Sequence, residues 1–145
     1  MIKILFVCHG NICRSVMAQH LLCELARQEG VDVIVDSAAV SREEIGNGIY
    51  PAAREKLRRE GIPIQPHYAR QITKEDYANF DRILGMDRSN IRAMLRILGG
   101  DPENKVSLLL GTREVADPWY TGDFDQAYRD IFEGCQMLLR EENVK

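Results

Sequence analysis

The chain has 145 residues, of which 45% are hydrophobic and 28% charged, and a net charge of −3 at pH 7. One domain spanning residues 1–145 is expected, with a core that needs no staple, and the acidic balance excludes a general nucleic-acid binder. No apolar run reaches membrane-spanning length and the segment ahead of Cys8 is too short for a signal peptide, so a soluble cytoplasmic protein without a membrane partner is expected.

Residues 2–7 read as an apolar strand. After a loop beginning at Cys8 comes a helix whose broad apolar face carries Met17, Leu21 and Leu25 beside Ala18, Leu22 and Ala26. Gly30 ends this helix, and residues 31–35 read as a buried second strand. Pro51 suits the first turn of the next helix, with Gly61 beyond its end. Residues 63–70 form an irregular loop, and Thr73 with Asp76 caps a short helix. Ile83-Leu84 marks a third strand. Asp87 then caps a helix with Ile91, Met94, Leu95 and Leu98 at core spacing, stopped by Gly99-Gly100. Residues 106–110 form a fourth strand. Asp123 with Gln126 caps the last helix, whose core face carries Phe124, Ala127, Tyr128, Ile131, Cys135 and Leu138.

Strands alternating with helices predict an α/β fold: a four-stranded parallel sheet covered on both faces, in three α/β/α layers. Ligands of such sheets bind beyond the carboxyl ends of the strands. The Cys8 loop follows the first strand and the loop bearing Asp117 follows the fourth, so both emerge on that rim.

The first loop, Cys8-His9-Gly10-Asn11-Ile12-Cys13-Arg14-Ser15, reads Cys-x5-Arg-Ser. A loop that leaves a strand and opens a helix aims successive backbone N–H groups at one point, an anion nest at the positive helix end. Residues His9 to Ser15 are therefore the candidate phosphate-binding residues. Gly10 supplies unusual backbone angles and close approach. A cysteine in that field is favoured as the thiolate, the nucleophilic form. Arg14 can grip two phosphate oxygens with its planar fork. The Ser15 hydroxyl can bond the sulfur and make it a better leaving group. The chemistry of the loop is that of a phosphate-ester site.

This loop, together with Asp117-Pro118-Trp119-Tyr120 near the C-terminus, resembles the low molecular weight protein tyrosine phosphatases. Asp36-Ser37-Ala38-Ala39, Ile45-Gly46-Asn47, the stretch from His67 to Asp76, and Met86-Asp87-Arg88-Ser89-Asn90 extend the resemblance over nearly the whole chain. It implies strand order 2-1-3-4 and hydrolysis of phosphotyrosine in proteins, and of small aryl phosphates, without metal or cofactor. Phosphate and other oxyanions would inhibit. Cys8 is the implied nucleophile, passing through a cysteinyl-phosphate. Arg14 stabilises the transition state, and Asp117 acts as general acid and then general base.

The resemblance also implies that Asn11, Ser15, Ser37 and His67 hold the loop in shape, and that Asp87 adds a role near the site to its capping. Trp119 and Tyr120 would line one wall of the substrate cleft. Where family members carry an aromatic residue ahead of the Ile-Gly pair, this chain has Glu43. The opposite wall therefore loses its ring, unless Tyr50 swings in. Cys13 shares the curled loop with Cys8 and is a candidate resolving cysteine, trapping an oxidised Cys8 as a disulfide. His20, Cys23 and Cys135 read as structural.

Rival readings are weaker. Arsenate reductases share the fold and loop but use further cysteines in a mid-chain segment, where this chain has Gly85. Phosphoarginine phosphatases of the same family carry threonine in place of Ile12. The larger tyrosine phosphatases place histidine before the nucleophile and the acid upstream, which Val7 and Asp117 contradict. Zinc on Cys8, His9 and Cys13 lacks a second ligand pair. A non-catalytic phosphopeptide-binding module would not require Cys8, Arg14 and Asp117 together.

Overall fold

The computed structural model describes residues 1–144. Strands β1 (Ile2–Cys8), β2 (Val33–Ala39), β3 (Arg82–Gly85) and β4 (Val106–Leu108) form one parallel sheet in the order β2-β1-β3-β4, as expected. The period-two alternation of β1 builds two cores. Ile4, Phe6 and Cys8 face α1 (Arg14–Glu29), α2 (Pro51–Arg59) and α6 (Phe124–Val144), meeting Val16, Met17, Leu21, Leu57, Ile131 and Leu138. Leu5 and Val7 point to the other face, against Ile72, Phe80 and Met94, where α3 (Lys74–Asn79) and α4 (Arg88–Leu98) pack. Three layers result.

Helix ends follow local chemistry. Asp87 accepts from the Asn90 N–H at 2.8 Å, Asp123 from the Gln126 N–H at 2.9 Å, and Asp76 from the Thr73 N–H at 2.8 Å. At the end of α1, Gly30 is left-handed (φ 69°) and the Val31 N–H bonds the Ala26 carbonyl at 2.9 Å. Val31 is thus the apolar residue that follows a helix cap, rather than the start of a strand.

Three expectations are corrected. The second strand runs Val33–Ala39, not 31–35, and it is an edge strand with Ile34 42% exposed. Leu95, expected in the core stripe of α4, is exposed, while Met94 is fully buried. The fourth strand stops at Leu108; Leu109 and Leu110 stay buried in a turn that leaves the sheet.

Gly85 closes β3 where α4 approaches most tightly. A Cβ there would lie 2.9 Å from both Ile91 Cδ1 and Met94 Cε, so any larger residue at this position would require these two side-chain ends to shift. Strand register brings Cys8 level with Ala39, and Val7 level with Gly85. The rim of the sheet therefore gathers the Cys8 loop, the turn after β2, the cap of α4 and the loop after β4.

Candidate active site

Cys8 ends β1 and Arg14 begins α1, so the whole loop is a strand-to-helix turn. Its carbonyls are held from outside. Val40 N–H donates to Cys8 O (3.0 Å), Ser41 N–H to His9 O (3.0 Å) and Tyr50 N–H to Ile12 O (3.0 Å). His67 Nε2 bonds Asn11 O at 2.8 Å. In a trans peptide the C=O and the following N–H point opposite ways, and no peptide here is cis. Turning the carbonyls of residues 8, 9, 11 and 12 outward therefore turns the N–H groups of 9, 10, 12 and 13 inward. The N-cap of α1 is Cys13, which makes no side-chain capping bond, and the first turn holds no acidic residue. Amide donors gathered in this way at a helix N-terminus suit an anion.

Asn11 is the left-handed residue of the loop (φ 62°) and is fully buried; Gly10 is not in that region. Gly10 instead lets the Glu44 stem lie close over the loop, since a Cβ would sit 3.2 Å from Glu44 Cγ. Asn11 Oδ1 accepts the Arg70 N–H at 3.2 Å, and Asn11 Nδ2 donates to Ser15 Oγ at 2.8 Å. Ser15 Oγ lies 3.0 Å from Cys8 Sγ. Against a thiolate, which can only accept, the Ser15 hydroxyl is the donor and stabilises the negative charge. Burial lowers the pKa of His67, outweighing its bond to Asn11. The imidazole is neutral, and because a carbonyl can only accept, Nε2 carries its hydrogen.

Arg14 is 2% exposed. Its Nη1 donates to Asp87 Oδ2 and to Val115 O, both at 2.8 Å, and Nη2 to Asp117 Oδ2 at 3.3 Å. Burial works against its charge, but Cys8, Asp117 and Asp87 outweigh it and push the pKa up. Asp117 also caps the single turn α5 (Pro118–Thr121), accepting the Trp119 N–H at 3.0 Å. Burial first, then Cys8 and Asp117, push the pKa of Cys13 up to about 12, so it is a thiol at neutral pH.

A cavity of about 100 Å³ opens over this floor, lined by Cys8, His9, Gly10, Ile12, Cys13, Arg14, Glu43, Glu44, Asp117, Trp119 and Tyr120. Asn11, Ser15, His67 and Asp87 stand behind it, through the bonds above. Two expected residues lie elsewhere. The Ser37 hydroxyl donates to Gln19 Oε1, tying β2 to α1 instead of shaping the loop. Tyr50 does not line the cavity; its ring meets Trp119 edge-on at 4.9 Å and stacks on Phe124 at 6.0 Å, bracing the aromatic wall from behind. Sequence reading missed Arg70, Glu44 and the Val115 carbonyl. Arg70 acts through a backbone N–H, Val115 through a carbonyl, and Glu44 through a methylene over Gly10, none of which leaves a residue-type signal. Among the described residues no group of three or more His, Cys, Asp or Glu could hold a metal, and no helix is long and apolar enough to cross a membrane.

A cysteine and an arginine facing one nest of amides, at the carboxyl edge of a parallel sheet, define an oxyanion-handling site of the phosphatase type. Residues 3–145 match the model of the low molecular weight phosphotyrosine protein phosphatases, and the chain belongs to this family of enzymes. It is 39% identical to the low molecular weight protein-tyrosine-phosphatase YfkJ of Bacillus subtilis, over 96% of this chain and 94% of that protein. The crystal structure of YfkJ superposes with a TM-score of 0.92 at 38% identity, covering 97% of this chain and 94% of the other. The human low molecular weight phosphotyrosine protein phosphatase is also 39% identical, over 96% of this chain and 94% of its own length. A Drosophila arginine phosphatase superposes with a TM-score of 0.87 at 32% identity, covering 97% and 98%.

Proposed function

We propose that this protein hydrolyses phosphotyrosine in protein substrates, and small aryl phosphates, as a single cytoplasmic domain over residues 1–145 that needs no metal or cofactor. The observation that carries the reading is the loop around Cys8, in which the carbonyls of Cys8, His9, Asn11 and Ile12 are engaged outward, leaving amides and Arg14 for the phosphoryl oxygens. Cys8 sulfur attacks phosphorus in line. The P–S bond forms as the P–O bond to the phenol breaks, and Asp117 gives its proton to the leaving oxygen. Asp117, now a carboxylate, takes a proton from water as that water attacks phosphorus. The P–S bond breaks, releasing phosphate and Cys8. Loop amides and Arg14 hold the three equatorial oxygens in both steps. Inorganic phosphate and similar oxyanions should compete for the same nest.

The Ser15 hydrogen aimed at sulfur supports the second step, because it stabilises the departing thiolate. Asp87 and Val115 support Arg14, and Asn11 and His67 support the loop. Oxidation by peroxide should convert Cys8 to a sulfenic acid, releasing water or hydroxide. Attack by Cys13 would then expel the sulfenic oxygen as water and leave a disulfide that thiols reverse. Both sulfurs belong to residues that line one cavity, and neither is in a disulfide.

A second reading is a phosphoarginine phosphatase, since the fold also fits the Drosophila arginine phosphatase. Ile12, an apolar residue on the cavity floor where the phosphoarginine enzymes carry threonine, favours phosphotyrosine. Turnover of matched phosphotyrosine, phosphoserine and phosphoarginine peptides by the purified protein, with Cys8→Ser as control, decides it. Preferred release of phosphate from phosphoarginine would overturn the assignment, and no turnover with tight peptide binding would indicate a binding module.

A further inference from the structure

The cavity has two unlike walls. On one side stand the rings of Trp119 and Tyr120; on the other stand His9, Glu43 and Glu44. Glu43 leaves its side chain 70% exposed, yet its Oε2 is held 3.1 Å from His9 Nε2. The backbone fixes the same junction, because the Ser41 N–H donates to the His9 carbonyl at 3.0 Å and the Val40 N–H to Cys8 at 3.0 Å. The turn that carries Glu43 is therefore hung on the phosphate loop itself. Glu44 lies closer in, its stem over Gly10 and its Oε2 accepting from Asn47 Nδ2 at 2.6 Å.

Among the described residues that line this cavity, no Lys or Arg other than Arg14 stands beside these two carboxylates. Arg14, the arginine of the cavity lining, is buried and bound to three acceptors. Arg42, on the same turn, is directed away to Gln71 Oε1 at 3.3 Å. A substrate seated with its phosphate on the loop and its ring against Trp119 must bring whatever flanks the ring past Glu43.

We infer that Glu43, held in place by His9, is a specificity-determining residue. It selects phosphotyrosine peptides that carry lysine or arginine beside the phosphotyrosine and disfavours those with glutamate or aspartate there. This rests on the phosphotyrosine reading above and adds the class of sequence that the site accepts. The effect is charge complementarity at an exposed rim, so it acts on encounter and binding, and salt screens it. His9 contributes by position: without it, the Glu43 side chain spreads over more rotamers and its charge is less often at the cleft.

The test compares kcat/KM for two phosphotyrosine peptides that differ only in having lysine or glutamate next to the phosphotyrosine. The ratio cancels any general loss of activity. The wild-type protein should prefer the lysine peptide by about threefold or more at low ionic strength, through KM and not kcat, and the preference should shrink toward one in about 0.5 M salt. Glu43→Gln should bring the ratio close to one at all salt concentrations, and Glu43→Asp should retain part of it. His9→Leu should lower the ratio to an intermediate value. A wild-type ratio of one at low salt, or a ratio unchanged in Glu43→Gln, overturns the assignment. A change in kcat alone, with no KM difference between the peptides, also overturns it and makes Glu43 a structural residue. Failure to hydrolyse any aryl phosphate, p-nitrophenyl phosphate included, would instead remove the phosphatase reading beneath it.

Discussion

The two sides of the cleft are built by opposite rules. The loop from Cys8 to Ser15 is buried except at His9 and Gly10, with carbonyls held from several other segments of the chain and its central Asn11 locked in a left-handed conformation. The facing side is one turn of helix, capped by Asp117, with Trp119 53% and Tyr120 82% exposed. Rigid donors suit what every substrate shares, a phosphoryl group whose charge must be met without reorganisation. An exposed, thinly supported aromatic wall suits what varies, the ring and the chain around it. Substitutions in the loop should therefore act on kcat, and those on the facing side on KM and on the choice of substrate.

The largest effect should come from the loop. Cys8→Ser removes the nucleophile and should lower turnover of p-nitrophenyl phosphate by more than about a thousandfold. Oxyanion binding, measured by calorimetry with inorganic phosphate, should persist, because the amides and Arg14 remain. Residual turnover near the wild-type rate would remove Cys8 from the chemistry. Arg14→Lys should also cost kcat heavily, since lysine cannot bridge Asp87, Val115 and the substrate at once.

Asp117 sits between the two sides, and its loss should divide substrates. Asp117→Asn should slow phenyl phosphate by roughly a hundredfold or more, because a poor leaving group needs a proton in the transition state. p-Nitrophenyl phosphate should lose far less. Equal losses for both would place the acid elsewhere. The variant also leaves Arg14 with one charge partner fewer, so a change in phosphate affinity is expected alongside.

The contrast also explains what could be read from the sequence. The loop stood out in the sequence because the chemistry proposed for it is contiguous: the candidate nucleophile, clamp and cradle lie within eight residues, and each needs a particular residue type. Sheet order came from the family resemblance, and the α/β layering from alternation of strand and helix patterns. The second strand was misplaced because Asp36 and Ser37 look like the end of an apolar run. They continue the strand because its pairing with β1 runs on through Asp36 and Ser37, whose side chains are met by Arg70 at 3.0 Å and by Gln19. The same long-range pairing drew Ser37 away from its expected role. Arg70 itself was invisible, since a backbone N–H on Asn11 could belong to any residue. Its guanidinium, clamped by Asp76 at 2.9 and 3.1 Å, shows why this one is an arginine.

The support behind the loop should appear in stability and its pH dependence. Asn11→Ala places a side chain that disfavours positive φ in a buried site and unpairs the Arg70 N–H, so a loss of roughly 2–4 kcal/mol is expected in urea unfolding. Folding holds His67 below its ordinary pKa, so the unfolded chain takes up this proton first as pH falls. The contribution is complete above about pH 6.5 and is lost below it, toward the lowered folded value. In His67→Gln, which can still donate to the Asn11 carbonyl, the fall in stability as pH drops below about 6.5 should be shallower than in the wild type. Equal slopes would mean that His67 does not differ between the folded and unfolded states.

The smallest effects belong to the aromatic wall, and they test whether Tyr50 acts directly or through its neighbour. Trp119 lines the cavity and is half exposed, so Trp119→Ala should raise KM for aryl phosphates by roughly two- to tenfold, the worth of one aromatic contact of about 0.5–1.5 kcal/mol. kcat for p-nitrophenyl phosphate should change little. Tyr50 stands behind, touching Trp119 edge-on, with Phe124 on its other side. Tyr50→Leu keeps apolar bulk there and loses only the ring contact that sets the angle of Trp119. Its KM should rise by less than that of Trp119→Ala, and the double variant should be no worse than Trp119→Ala alone, because Tyr50 has then nothing left to hold. Additive losses in the double variant would mean that the Tyr50 ring touches substrate itself, and that the cleft has a second aromatic wall after all.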